Sequence, residues 1–152
     1  MPKKIGLEFE GMDEVMSRIS KLDGDVKSVA EKALKETHRY ITPEVGLEIM
    51  KHNRTHRTEE SIVQKPNINW SGDTAEVDVG FKISDGGLPS IFLMYGTQSH
   101  AISNQYGRTS GIHHGTDADK KLYNAILGNS TKKAIQELQA EIFFEEIRKL
   151  EK

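Results

Sequence analysis

Hydrophobic positions follow two different periods along this chain, and the change of period divides it into predicted elements. Apolar and polar residues alternate over residues 5–9, which predicts a half-buried strand. Over residues 26–41 the apolar spacing becomes three and four, the pattern of an amphipathic helix. Thr42-Pro43 interrupts this stripe. Because proline lacks an amide proton, we expect the helix to kink there, or to stop and restart.

The middle of the chain has strand character. Residues 61–64 and 68–70 predict the first arm of an antiparallel hairpin, and the alternating residues 74–81 predict its second arm. Pro66 cannot donate to a strand partner, so the first arm should contain an edge or a bulge. Beyond it, Pro89 opens a compact apolar segment over residues 91–95. A short buried helix is the simplest interpretation of that segment, with a buried strand as the alternative.

The last third of the chain predicts a flexible loop followed by two helices. Residues 98–116 are rich in Gly, Ser, Asn and His and have little periodicity; a loop of this length is usually functional or disordered. Helices are predicted over about 117–127, with Asp117 and Asp119 as the expected caps of that helix, and after the break at 128–130. The second carries Ile142-Phe143-Phe144, three consecutive apolar residues that one helix face cannot bury. Core packing is the ordinary role of these residues, and a subunit contact is the alternative.

Together these patterns predict one α+β domain over residues 1–152. We expect an antiparallel sheet of about three to four strands, covered by a long kinked helix and the C-terminal helices. The chain has no cysteine, which excludes disulfides and thiolate metal sites and is typical of a reducing compartment. No signal peptide or membrane-spanning stretch is evident, so we expect a soluble protein made in a cytoplasm, without a membrane partner.

The histidines are the leading candidates for chemistry. His52 and His56 are four residues apart, which places both on one face of a helix, and His113 and His114 are adjacent. Histidines together with a carboxylate can bind zinc. The spacing lacks the glutamate of the zinc-protease motif, so exposed loop histidines are the simpler interpretation. We therefore predict no catalytic residue, metal or cofactor, and keep a metal-dependent hydrolase using these four histidines as an alternative.

Clusters of like charge suggest two further roles. The formal net charge is −2, unlike the strongly basic balance of a nucleic-acid-binding protein. A local basic cluster can still contact phosphate, which leaves a small nucleic-acid-binding module as a second alternative; its members are Lys51, His52, Arg54, His56 and Arg57. An acidic cluster near the start is more simply a solvated face; it comprises Glu8, Glu10, Asp13 and Glu14.

Three short motifs, in this order along the chain, carry a resemblance to a known family. They are Gly11-Met12-Asp13-Glu14-Val15, Thr55 with Ser61-Ile62, and Tyr95-Gly96-Thr97. With the segments between them, they resemble the small head–tail joining family of long-tailed double-stranded DNA phages and prophages, often described as minor tail or tail-completion proteins. The chain departs from the family at three positions: His56 replaces a preferred glycine, Thr58 a leucine, and Met94 a common acidic residue. The segment after Thr97 is also longer, and the family's arginine-proline-phenylalanine pattern beyond it is missing.

The resemblance implies a structural subunit of the virion, made in the bacterial host and assembled at the head–tail junction. It implies a homo-oligomer, most simply a ring, with other head–tail or tail-tube proteins as partners and no sequence-specific nucleic acid. From the length and composition of residues 98–116, we expect this loop to contact a neighbouring ring or the tail tube. The candidate interaction residues are Gln98, Ser103, Tyr106, Arg108, Phe143 and Phe144.

Overall fold

A computed structural model describes residues 12–22, 24–52 and 55–152 of the chain. Its helices are α1 (Met12–Lys21), α2 (Val26–Met50), α3 (Arg57–Glu60), α4 (Leu88–Tyr95), α5 (Lys120–Leu127) and α6 (Asn129–Leu150). Its strands are β1 (Ile68–Ser71), β2 (Thr74–Val77), β3 (His100–Ser103) and β4 (Thr109–His113). The α+β class is confirmed, and the strand predicted over residues 5–9 lies outside the described residues. None of the described helices has the length and apolar character needed to cross a bilayer.

The strands form two separate antiparallel pairs in the described part of the chain, instead of one sheet of three to four strands. β1 pairs with β2, with Ile68 opposite Val77, and an isolated bridge between Ile62 and Phe81 extends the pair. The predicted antiparallel hairpin is confirmed, but its strands are shorter than predicted: residues 61–64 contribute only the bridge at Ile62, and the second strand ends at Val77. The first arm is interrupted around Pro66, because proline offers no amide proton to a partner strand.

Helix α2 runs through Pro43 without ending, so the predicted restart at Thr42 does not occur. Asp25 begins the helix: its side chain accepts a hydrogen bond from the amide of Ser28 at 3.1 Å. Beyond the proline, Val45 and Ile49 are buried at helical spacing. Their packing offsets the one hydrogen bond that Pro43 cannot donate. The kink expected at this position stays a prediction.

The core consists of two apolar clusters arranged along α2 and α6. One contains Ile41, Val45, Ile49, Ile62, Leu122, Ala125 and Ile135. The other contains Ile19, Val29, Ala33, Ile142, Phe143 and Ile147. α2 and α6 contribute residues to both clusters, so these two helices connect the two halves of the core.

Buried polar side chains separate the two clusters. Gln139 on α6 donates to the hydroxyl of Thr37 on α2 at 2.7 Å, and Thr37 donates to the carbonyl of Ala33 at 2.9 Å. On the next position of α2, His38 donates through Nε2 to the carbonyl of Val63 at 2.8 Å. No buried side-chain nitrogen or oxygen in the described residues lacks a hydrogen-bond partner. A slip of α2 against α6 would break the hydrogen bond between Gln139 and Thr37, so this buried contact favours the observed register of the two helices.

Candidate assembly surface and the neighbouring cleft

The segment predicted as a flexible loop forms a second antiparallel hairpin. β3 pairs with β4, with His100 opposite His113 and Ala101 opposite Ile112, and the register shifts after Ile102. Every residue of the two strands is exposed, except for half-buried Gly111. The period-two pattern fails here because it depends on one face being buried. In this hairpin neither face is buried, since Ile102 and Ile112 lie on opposite faces and both are exposed.

A compact turn closes the tip of this hairpin. The side-chain oxygen of Asn104 accepts hydrogen bonds from the amides of Tyr106 and Arg108, both at 3.0 Å. The amide of Asn104 donates to the carbonyl of Arg108 at 2.8 Å. The turn leaves the Tyr106 side chain projecting, with 79% of the residue exposed. An aromatic and a cationic residue are thus presented together on a structured turn.

Two glycines make the base of the hairpin possible. Thr97 and Thr116 exchange backbone hydrogen bonds of 2.8 and 3.1 Å. Gly96, which ends α4, has φ +72°, and a Cβ there would lie 2.7 Å from the carbonyl of Thr116. Gly115 has φ +86°, and its Cβ would lie 2.2 Å from the carbonyl of Thr97. Only glycine fits both positions, which gives Tyr95-Gly96-Thr97 a structural role.

The hairpin projects from the rest of the described structure. β3 and β4 contact each other, and no other described element packs broadly against either strand. An isolated two-stranded hairpin is marginally stable in water. A ribbon that exposes both faces, including Ile112 at 63% exposure, is therefore a surface suited to a partner.

The predicted interaction residues fall into two places. Gln98, Ser103, Tyr106 and Arg108 all belong to the hairpin or its base. Phe143 is only 5% exposed and packs in the core, whereas the next residue, Phe144, is 50% exposed. The expectation that one helix face cannot bury Ile142-Phe143-Phe144 is confirmed. Of the two phenylalanines, only Phe144 lies at the surface.

Other apolar side chains are also exposed on the described helices. They are Tyr40, Leu47 and Met50 on α2, and Leu88, Phe92 and Tyr95 on α4. α2 also packs a buried face against the rest of the domain, and α4 packs partly buried Leu93 and Met94 against the core. The segment over residues 91–95 is thus helical as predicted, but it is not buried. The hairpin differs from both helices because it has no side that faces the core.

The four candidate metal-binding histidines are not brought together. α2 ends at Met50, and His56 has φ 59°, so His52 and His56 do not share a helix face. His52 contacts Asp119, and His56 contacts Glu59 at 3.2 Å. The His113 ring instead stacks on His100 at 5.1 Å between centroids. The described residues contain no group of three or more histidines and carboxylates placed to hold a metal ion.

The proposed phosphate-binding cluster is largely paired with acidic groups. The ammonium of Lys51 lies 2.5 Å from the carboxylate of Glu48, and His52 and His56 pair with carboxylates as described above. Arg54 lies outside the described residues. Of the acidic cluster, Asp13 and Glu14 are exposed in the first turn of α1, and the two earlier glutamates are not described.

A cleft of about 330 Å³ lies beside the base of the hairpin. Its lining includes Ile49, His52, Thr55, Thr58, Pro89, Phe92, Leu93 and Thr116. The wall is mostly apolar and carries threonine hydroxyls and one imidazole. Among the described hydrogen bonds of this lining, none joins a threonine hydroxyl to His52; the hydroxyl of Thr58 donates to the carbonyl of Gly86, and His52 pairs with Asp119.

The His52–Asp119 pair at this cleft joins three segments of the fold. His52 Nε2 donates to Asp119 Oδ2 at 2.5 Å. The other carboxylate oxygen accepts from the amides of Lys121 and Leu122, so Asp119 caps α5 as the sequence predicted. The amide of Asp119 donates to the carbonyl of Leu93 at 2.7 Å. The hydrogen bond from His52 holds the pKa of the Asp119 carboxyl below its usual value, with partial burial opposing and the two amides reinforcing the shift.

Two substitutions separate the cap from the charge of Asp119. Asp119→Ala removes both, and we expect it to lower the free energy of unfolding at pH 7 by about 1–2 kcal/mol. Asp119→Asn keeps a capping oxygen, so its cost should be smaller.

Because the folded-state pKa of Asp119 lies below the unfolded value of about 3.9, the stabilisation by the carboxylate is present above that value and lost as pH falls through the folded pKa. Urea unfolding should therefore show the gap between wild type and Asp119→Asn closing below about pH 4; a gap that stays constant down to pH 2.5 would contradict this account.

Comparison of the chain with family models, curated proteins and solved structures found no significant match.

Proposed function

We propose that this protein is a structural component of the virion at the head–tail junction of a tailed phage or prophage, and that it acts by assembling into an oligomer. The observation that carries the proposal is the β3–β4 hairpin: a ribbon with both faces exposed and no broad contact with the rest of the described fold. Tyr106 and Arg108 lie at the tip of this hairpin. Tyrosine and arginine are enriched among the residues that contribute most of the binding energy at protein interfaces.

The head–tail part of the proposal rests on the resemblance, and two of its three motifs contain described residues with defined structural roles. Gly96 ends α4 and permits the Thr97–Thr116 bridge. Ser61 is 1% exposed, its carbonyl accepts from Lys82, and Ile62 forms the bridge to Phe81. These roles explain why a related chain would keep such residues there.

One departure from the family pattern has a backbone conformation that agrees with the resemblance. His56 stands where the resembling family prefers glycine, and its φ of 59° lies in the left-handed region. Among the described residues it is the single non-glycine with positive φ. Glycine adopts this conformation without strain, so a glycine preference at this position has a physical basis.

The proposal is tested in particles. In the phage or prophage that encodes the chain, we expect deletion of the gene to give filled heads and separate tails, and the wild-type gene to restore joined particles. A hairpin-shortened variant, in which Asn-Gly replaces residues 102–111 and joins the register partners Ala101 and Ile112 by a two-residue turn, should fold but fail to restore joining. Normal infectious particles without the gene, or purified particles that lack the protein, would contradict the proposal.

A further inference from the structure

The exposed face of α6 carries a row of glutamates. Glu137, Glu141 and Glu145 are exposed at intervals of four residues, and like charges at this spacing destabilise a helix. Glu137 has Lys133 at 3.8 Å, but among the described residues Glu141 and Glu145 have no ion-pair partner. No lysine or arginine occurs between Ala134 and Ile147. Arg148 and Lys149 follow directly, and Lys149 lies 3.7 Å from the carboxylate of Glu146.

An apolar side chain interrupts this acidic row. Phe144 lies between Glu141 and Glu145 in the sequence and is 50% exposed, although Phe143 beside it is buried. A half-exposed phenylalanine flanked by carboxylates provides both an apolar contact and an electrostatic preference for a cationic partner.

The β3–β4 hairpin has the opposite character. From Gln98 to Thr116 the segment contains no aspartate, glutamate or lysine, and Arg108 is its single arginine. Arg108 is exposed and has no ion-pair partner among the described residues. Tyr106, two residues earlier, provides an exposed aromatic ring on the same turn.

We propose that the hairpin of one copy of this chain docks on the exposed face of α6 of a second copy, with Arg108 against Glu141 and Glu145 and with Tyr106 near Phe144. This inference rests on the proposed function and names the contact through which the oligomer forms. A second copy is the occupant because the two surfaces complement each other in charge and each offers an aromatic side chain. They are different surfaces, so the contact can repeat head to tail, which closes into a ring when the rotation between copies permits.

Charge reversal tests the contact on the full chain. Arg108→Glu leaves α6 intact, and the double variant Glu141→Lys/Glu145→Lys leaves the hairpin intact. Each variant alone should self-associate at least about tenfold more weakly than wild type, because like charges then meet at every contact. An equal mixture should regain association, because each hairpin then meets an α6 face of opposite charge. Sedimentation velocity over a concentration series measures all three samples.

A matched control separates the contact from a general effect of net charge. Lys65→Glu makes the same change in charge as Arg108→Glu at an exposed position in the first hairpin, and it should associate as wild type does. Urea unfolding of each variant confirms that it is folded. If wild type associates and the mixture stays as weak as its components, or if Lys65→Glu weakens association equally, this contact is wrong while the proposed function stands. A wild-type chain that never associates overturns both.

Discussion

Replacement of Phe143 by alanine is expected to lower the free energy of unfolding by about 3–5 kcal/mol, the range found when a buried phenylalanine is truncated. Phe143 is 5% exposed and packs with Ile19, Val29 and Ile147 in the cluster that joins α1, α2 and α6. Removing the ring leaves a cavity that these neighbours, held on three helices, fill only in part. Chemical denaturation at pH 7 measures the loss.

The adjacent residue provides the matched control. Phe144→Ala removes the same side chain from a position that is 50% exposed, and we expect a cost below about 1 kcal/mol. The same variant should weaken self-association, because Phe144 belongs to the proposed contact on α6. Equal losses of stability in the two alanine variants would contradict the burial on which both the core and this surface depend.

Gly115→Ala is expected to disrupt the base of the β3–β4 hairpin. The residue has φ +86°, and a Cβ would lie 2.2 Å from the carbonyl of Thr97, so the backbone has to shift. The hydrogen bonds between Thr97 and Thr116 should weaken, and strain of this kind costs of order 1–3 kcal/mol. We expect amide hydrogen exchange at Thr97 and Thr116 to accelerate at least about tenfold, which corresponds to about 1.4 kcal/mol of lost local protection.

Gly111→Ala is the control within the same hairpin. Gly111 has no positive φ, and a Cβ there would meet no atom within 4 Å. Exchange at Thr97 and Thr116 should therefore remain as in wild type. Similar acceleration by both substitutions would show that the hairpin is fragile throughout and that the glycines at its base have no special role.

The sequence predicted those elements in which one face is buried, because burial leaves a periodic pattern of apolar side chains. The stripe over residues 26–41, the alternation over 74–81 and the apolar residues of α6 each reflect a face turned toward the core, and each corresponds to an observed element. Asp119 was predicted as a helix cap because capping is local in sequence. The β3–β4 hairpin was missed because its strands have no buried face, so no periodicity marks them.

The sequence pattern also could not predict which residues far apart in the chain are in contact. His52 and Asp119 are 67 residues apart, and Thr37 and Gln139 are 102 apart. Nothing in the spacing of these residues indicates that they meet, since the packing of α2, α5 and α6 brings them together. For the same reason, the sequence pattern did not indicate which charged residues of the hairpin and of α6 lie at the surface; in the fold, Arg108, Glu141 and Glu145 are exposed.

The most direct test of the central claim is native mass spectrometry of the purified protein over a concentration series, with wild type and the hairpin-shortened variant measured side by side. The account predicts that wild type forms a defined oligomer, or passes from monomer to that oligomer as concentration rises, and that the shortened variant stays folded and monomeric. A wild-type chain that remains monomeric at every concentration, or a shortened variant that assembles equally well, would contradict it.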